Sequence, residues 1–276
     1  MRLLRTLVYG NVWVALAAPS MLWVTALQFS LKPELVWFFF VFFATLFTYN
    51  MQRLFMAGRY LSPQVLGRHA WIMRYRKALF TLTFSAFLAL LFCLFFIPPV
   101  YVLYLLPSGF FSLLYVLPVW GEKRLRDLPF VKIILVAFTW SWTLVAAPAL
   151  FFGLPQAQWL PLFGFEFLLC FGLTVPFDVR DAEHDQQAGI RTFVSAFGLS
   201  GAKKLSLFCF VLAAVFVLLG GLLPVPAFML LLLAGTLAVW YNRPGRSDLY
   251  YGFALDGIFV VQGLVLYGVV SIVDML

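Results

Sequence analysis

The chain has 276 residues, of which 64% are hydrophobic and 11% charged, with basic residues exceeding acidic ones by eight. A soluble globular chain carries about a quarter charged residues, so water is excluded as the main solvent. Runs such as 35–47 and 205–223 are apolar on every face, which excludes an outer-membrane barrel, whose strands would alternate over about 10 residues.

Bilayer hydrocarbon offers no hydrogen-bond partners, so spans of this length must be helices. The first begins behind Arg2 and Arg5, where Ala15-Leu16-Ala17 resembles a signal cleavage site. Apolar residues continue to Phe29, and that length marks a true span rather than a secretory signal. In chain order helices are expected at 7–29, 34–57, 78–97, 100–118, 130–152, 159–177, 204–223, 227–241 and 250–272. The expectation is an all-α polytopic membrane protein, about nine transmembrane helices in one bundle, with residues 1–276 forming a single domain. Cys93, Cys170 and Cys209 all lie within apolar runs and read as small buried side chains, with no disulfide framework.

Very short connections such as Pro98-Pro99 alternate with longer ones that carry the basic residues. With the N-terminus inside, every Lys and Arg except Lys32 falls on the inner side. The positive-inside rule therefore orients the chain with its N-terminus in the cytoplasm. Topology accounts for the basic excess, and a nucleic-acid partner is not invoked.

After the sixth expected span comes Pro176-Phe177-Asp178-Val179-Arg180-Asp181-Ala182-Glu183-His184-Asp185. At helical periodicity Asp178, Asp181 and Asp185 share one face, whereas Glu183 and Arg180 point away from it. Three like charges that converge at a membrane boundary call for a hard cation, and Mg²⁺ held by carboxylates and phosphate oxygens suits that donor set. The competing reading is a short amphipathic helix capped by Asp178 with its acids solvated.

That run, followed by Gly189-Ile190-Arg191-Thr192-Phe193 and Phe197-Gly198-Leu199, resembles the second aspartate-rich motif of UbiA-type intramembrane prenyltransferases. The nine-span layout is similar as well. The family's first motif would close the second span on the same side, where Thr48-Tyr49-Asn50-Met51-Gln52-Arg53-Leu54 stands. Tyr115, with Lys123 and Arg124 beyond it, resembles the family's tyrosine and lysine over the diphosphate. The first motif departs from the family pattern, because Met51, Leu54 and Gly58 occupy its aspartate positions and only Asn50 remains.

The resemblance implies transfer of an isoprenoid chain from a prenyl diphosphate to an aromatic or lipid acceptor in the membrane. Asp178, Asp181 and Asp185 would be the catalytic, Mg²⁺-binding residues, and Asn50, Arg53, Tyr115, Lys123 and Arg124 would bind substrate. A guanidinium at Arg53 can grip phosphate oxygens without a metal. The implied partners are a prenyl diphosphate, a hydrophobic acceptor and membrane lipid, with a bacterial inner membrane as the location. A non-catalytic UbiA-like lipid-binding or membrane-assembly protein is the alternative. A secondary transporter would show an internal repeat, and none is evident. Two further acids, Glu166 and Asp256, fall inside apolar spans, as acceptor contacts or as packing glue.

Overall fold

The structure, a computed structural model, describes residues 2–57, 67–121, 123–187 and 189–273. Within these, the side chains of Arg2, Met56, Ala57, His69, Val119, Trp120, Lys123, His184 and Val273 are not described. Apart from a two-stranded hairpin, the regular elements among the described residues are helices. Among the described residues, seven helices are long and apolar enough to cross a bilayer, and a bent pair would make an eighth. A further apolar helix, at 16 residues, is shorter than a typical span. The expected count of nine holds only if both the bent pair and this short helix cross the bilayer.

The bent pair is α1 (Arg2–Tyr9) and α2 (Val12–Gln28), which meet at 66°. The sequence reads here as one straight span. The break follows from Gly10-Asn11, where Asn11 takes a left-handed backbone with φ 59°, a conformation that asparagine tolerates better than most residues. From α3 (Leu35–Ala57), the Asn50 side chain accepts from Asn11 Nδ2 at 2.6 Å and donates to the Gly10 carbonyl at 3.0 Å. A carbonyl freed by the break is thereby satisfied within the protein, as a membrane interior requires.

A short helix, α4 (Gly67–Arg74), precedes the spans α5 (Arg76–Leu94) and α6 (Pro99–Val116). Leu103, Leu106, Phe110 and Leu113 of α6 are exposed, because on this helix the outward face meets lipid rather than water. The hairpin β1 (Pro118–Trp120) and β2 (Lys123–Arg124) and one 3₁₀ turn (Leu125–Asp127) lead into the next span. That span is α7 (Val131–Ser141), a π-helical turn (Trp142–Ala146) and α8 (Ala147–Phe151).

Next, α9 runs from Gln156 to Gln187, 32 residues without interruption. At about 1.5 Å per residue it is longer than the hydrocarbon is thick, by roughly a third of its length. The acidic segment is therefore the continuation of a transmembrane helix, not a connection after it. Against α9 packs α10 (Phe193–Leu219), which is kinked at Gly198. Gly164 and Gly172 of α9 admit the rings of Phe216 and Phe210, and a Cβ at either glycine would lie under 3 Å from ring carbons. The bundle is completed by α11 (Val225–Trp240), a π-helical turn (Tyr250–Leu255) and α12 (Asp256–Val273), the last against α2.

Glu166 is fully buried among apolar side chains of α9, as is Gln262 of α12. The carboxyl faces that amide, at a geometry looser than a well-formed hydrogen bond. Two polar groups facing each other inside the bundle act as packing glue, so the interhelical role fits Glu166 better than contact with an acceptor. Truncation would leave the amide stranded, at about 1–3 kcal/mol. Glu166→Ala is expected to lower the thermal midpoint in detergent while Glu166→Gln stays near wild type. Equal midpoints for the two variants would show that the pair contributes nothing to stability.

Candidate functional site

The charged ends of α7 and α9 are brought together by the segments in front of α7 and α10. The backbone N–H of Phe130 donates to the Arg191 carbonyl at 3.2 Å, and the Phe130 ring packs on Phe193 with centroids 4.9 Å apart. Thr192 caps α10 through reciprocal hydrogen bonds with Ser195. With Phe130 pinned, α7 starts beside the last turns of α9, and its second residue, Lys132, enters the acidic face.

The Lys132 ammonium lies 2.8 Å from Asp178 and 3.0 Å from Asp185, and all three side chains are buried. Asp181 is turned instead to Arg180, whose Nε and Nη2 donate to its two oxygens at 2.7 and 2.9 Å. The expectation that Arg180 points away from the aspartates is thus corrected. Neighbouring side chains on a helix do not normally face each other, but a flexible guanidinium can fold back onto the preceding or following turn. Arg180 does so while lying over the rings of Phe177 at 4.7 Å and Tyr251 at 5.4 Å.

The three carboxylates lie within Coulombic range of one another and of Lys132, but their oxygens are turned to basic partners. Among the described residues, no three acidic, histidine or cysteine side chains stand close enough to hold an ion in this arrangement. The physical reason is cost: uncompensated carboxylates in a low-dielectric wall are expensive, and the fold supplies each with a basic partner. The donor chemistry still suits a hard cation. The face offers only carboxylate oxygens, and the free cysteines are buried elsewhere as apolar residues.

The residues expected to bind substrate divide into two groups. Arg53 lies within Coulombic range of Arg180, Asp256 and Tyr49, and it has no ion-pair partner within 4.0 Å among the described residues. Tyr115 faces the aspartate end, with the Arg126 guanidinium 4.6 Å from its ring centroid. Arg126 is itself within range of Asp185, Asp127 and Asp181. Burial works against its charge, but Tyr115 and these carboxylates raise its pKa above the ordinary value.

Asn50 and Arg124 are committed elsewhere. The Asn50 amide secures the α1–α2 break. Arg124 is clamped on Asp127 by Nε at 3.0 Å and Nη2 at 2.8 Å, with its backbone N–H on the same carboxylate. The side chain of Lys123 lies outside what is described, as does residue 58. Of the first-motif aspartate positions that are described, Met51 is exposed, and Leu54 packs against Ile72 and Leu79.

Sequence reasoning passed over Lys132 and Arg126, taking both as ordinary inner-side basic residues. A signal for Lys132 was present, since it is the one charged residue in the expected fifth span, 130–152, and an ionisable residue inside a span is functional by default. Arg126 gave no such signal. Asp256 begins α12 directly after a π-helical turn, a local irregularity common at functional sites. It lies within range of Arg180 and Arg53. Tyr49 accepts from Trp140 Nε1 at 3.2 Å on the same side of the bundle.

Burial raises the pKa of Asp127, but the hydrogen bonds and charge of Arg124 outweigh it and hold the carboxyl below its usual range. The stabilisation this provides is complete above the unfolded value of about 3.9 and is lost as pH falls through the lowered folded one. Asp127→Asn should therefore flatten the dependence of thermal stability on pH below about 4. An unchanged acid limb would place its origin elsewhere.

The sequence profile described as the UbiA prenyltransferase family matches residues 70–248. No curated protein matches the chain. Among solved structures, a UbiA homologue from Archaeoglobus fulgidus bound to GPP and Mg²⁺ superposes with a TM-score of 0.65 at 15% identity, covering 96% of this chain and 99% of that one. The apo UbiA homologue from Aeropyrum pernix K1 gives 0.64 at 16% identity, covering 95% and 98%. A digeranylgeranylglyceryl phosphate synthase structure gives 0.56 at 15% identity, covering 96% and 99%.

Proposed function

We propose, from the premise that this chain belongs to the UbiA prenyltransferase family, that it moves an isoprenoid group from a prenyl diphosphate to a hydrophobic acceptor within the membrane. The observation that carries the reading is the cluster of opposite charges at one end of an otherwise apolar bundle. Arg53, Arg126, Lys132 and Arg180 there face Asp178, Asp181, Asp185 and Asp256. Such a cluster serves a ligand that is polyanionic at one end and hydrocarbon at the other. Solved members of the fold bind GPP or DMAPP with Mg²⁺, which supports the same ligand class.

In this proposal Arg126 and Arg53 receive the phosphate oxygens from two sides, and Tyr115 is held against Arg126 as part of the same wall. Once a phosphate-bearing ligand takes over Lys132 and Arg180, Asp178, Asp181 and Asp185 would hold Mg²⁺, which when bound supplies Lewis-acid neutralisation of the leaving diphosphate. A second metal has no carboxylates from the first motif to hold it, so guanidinium groups take over that neutralisation. Aromatic or lipid acceptors are both hydrophobic enough to reach a site at the end of an apolar bundle. The basic residues around the site orient it toward the cytoplasm, with a bacterial inner membrane as the setting. One observation favours the alternative of a non-catalytic lipid binder: Asn50 and Leu54 of the first motif serve structure.

The deciding experiment incubates the purified protein with Mg²⁺, labelled prenyl diphosphates and membrane extract. Diphosphate release with a labelled lipid product is expected, and binding without release with every acceptor tried would leave only the binder. Arg53→Ala is expected to lose about 100-fold or more in turnover, the scale of one oxyanion-stabilising donor. The exposed Arg243→Ala should keep wild-type rates, and equal losses at both would reduce Arg53 to a topological charge.

Mg²⁺ with a prenyl diphosphate should also raise the melting temperature, since a ligand of the folded state stabilises it. In Asp181→Asn the Mg²⁺-dependent part of that rise should vanish. Its survival would restrict the aspartate face to internal ion pairing.

A further inference from the structure

The aspartate face and the phosphate-facing basic residues share one member. Lys132 belongs to α7, away from both aspartate motifs, yet its ammonium contacts Asp178 at 2.8 Å and Asp185 at 3.0 Å. Those carboxylates are almost wholly inaccessible, and the lysine is 8% exposed. Asp181, the remaining acid, is chelated by Arg180. Three carboxylates alone would attract any divalent cation in the cytoplasm. With Lys132 and Arg180 in place the local excess falls to a single negative charge, and a free cation must compete with a resident ammonium for the same oxygens.

We propose that Lys132 is a built-in counter-ion that makes this site select a metal diphosphate chelate over a free divalent cation. The inference rests on the prenyl-transfer reading for the identity of the site and deepens it by naming what the site admits. A chelate brings its own phosphate oxygens, which can accept the ammonium hydrogens that the carboxylates would give up, so the lysine keeps a partner. A bare cation offers Lys132 nothing in return and would leave a buried charge stranded. The selectivity resides in that difference, and it requires an ammonium on α7 at this position. A shorter or neutral side chain at 132 would leave Asp178 and Asp185 facing each other with no cation between them.

The test uses Mn²⁺ as a spectroscopic probe and inorganic diphosphate, on full-length protein in nanodiscs. Wild type should bind free Mn²⁺ weakly and bind Mn²⁺ with diphosphate together at least about tenfold more tightly than either alone, one charge's worth of coupling. Lys132→Met should bind free Mn²⁺ at least about tenfold more tightly than wild type and lose most of the coupling. Tight binding of free Mn²⁺ by wild type would overturn the proposal, and that arm does not depend on the variant folding. Unchanged Mn²⁺ affinity in a folded Lys132→Met would overturn it equally. Coupled binding without turnover of any prenyl diphosphate would reject prenyl transfer while upholding the counter-ion, and turnover with tight free-metal binding would do the opposite.

Discussion

The ion pairs from Lys132 to Asp178 and Asp185 are the constraint around which the polar end of the bundle is organised. Without a cation, two buried carboxylates on the same face of α9 would repel each other or become protonated. Lys132 can reach both acids only if α7 begins beside the final turns of α9. That placement depends on the Phe130 contact to the Arg191 carbonyl and on the ring stack with Phe193. The local geometry of two loops, one ahead of α7 and one ahead of α10, is therefore tied to the electrostatics of a third element.

Around that constraint, charge and hydrocarbon are sorted by depth. The lower part of α9 packs glycines against phenylalanines of α10, allowing close helix approach without polar contacts. Higher up, the same helix changes character within a few residues, from Phe171 and Leu173 to Asp178. Only a helix that leaves the hydrocarbon can do this without stranding its acids. Glu166 is the exception, an acid kept at depth by an amide on another helix rather than by a basic residue.

The spans were legible in the sequence because a bilayer imposes length and apolarity on whatever crosses it. Helical periodicity also foresaw that Asp178 and Asp185 share a face, and both indeed meet the same lysine. It missed the pairing of Asp181 with Arg180, because that bond depends on how a flexible side chain folds back, and spacing carries no information about that. The role of Asn50 was equally hidden: its partners Gly10 and Asn11 lie about forty residues earlier, and the break they form interrupts an apolar run that reads as one continuous span. Arg124 and Arg126 are alike in sequence context. Asp127, three residues from the one and adjacent to the other, separates them by claiming the first.

The unbroken course of α9 from Gln156 to Gln187 has a mechanical consequence. A single helix carries both the packed middle of the bundle and the acidic end, with Pro176 between them; that proline removes a backbone hydrogen bond and makes the joint at which the acids can tilt relative to the glycine-phenylalanine interface. The opposite wall is built differently, from a hairpin of two short strands and one 3₁₀ turn, and an isolated pair of strands has little stability of its own. Compliance is thus distributed unequally around the mouth: a continuous helix with one proline joint on the aspartate side and a pliant rim carrying Arg126 on the other.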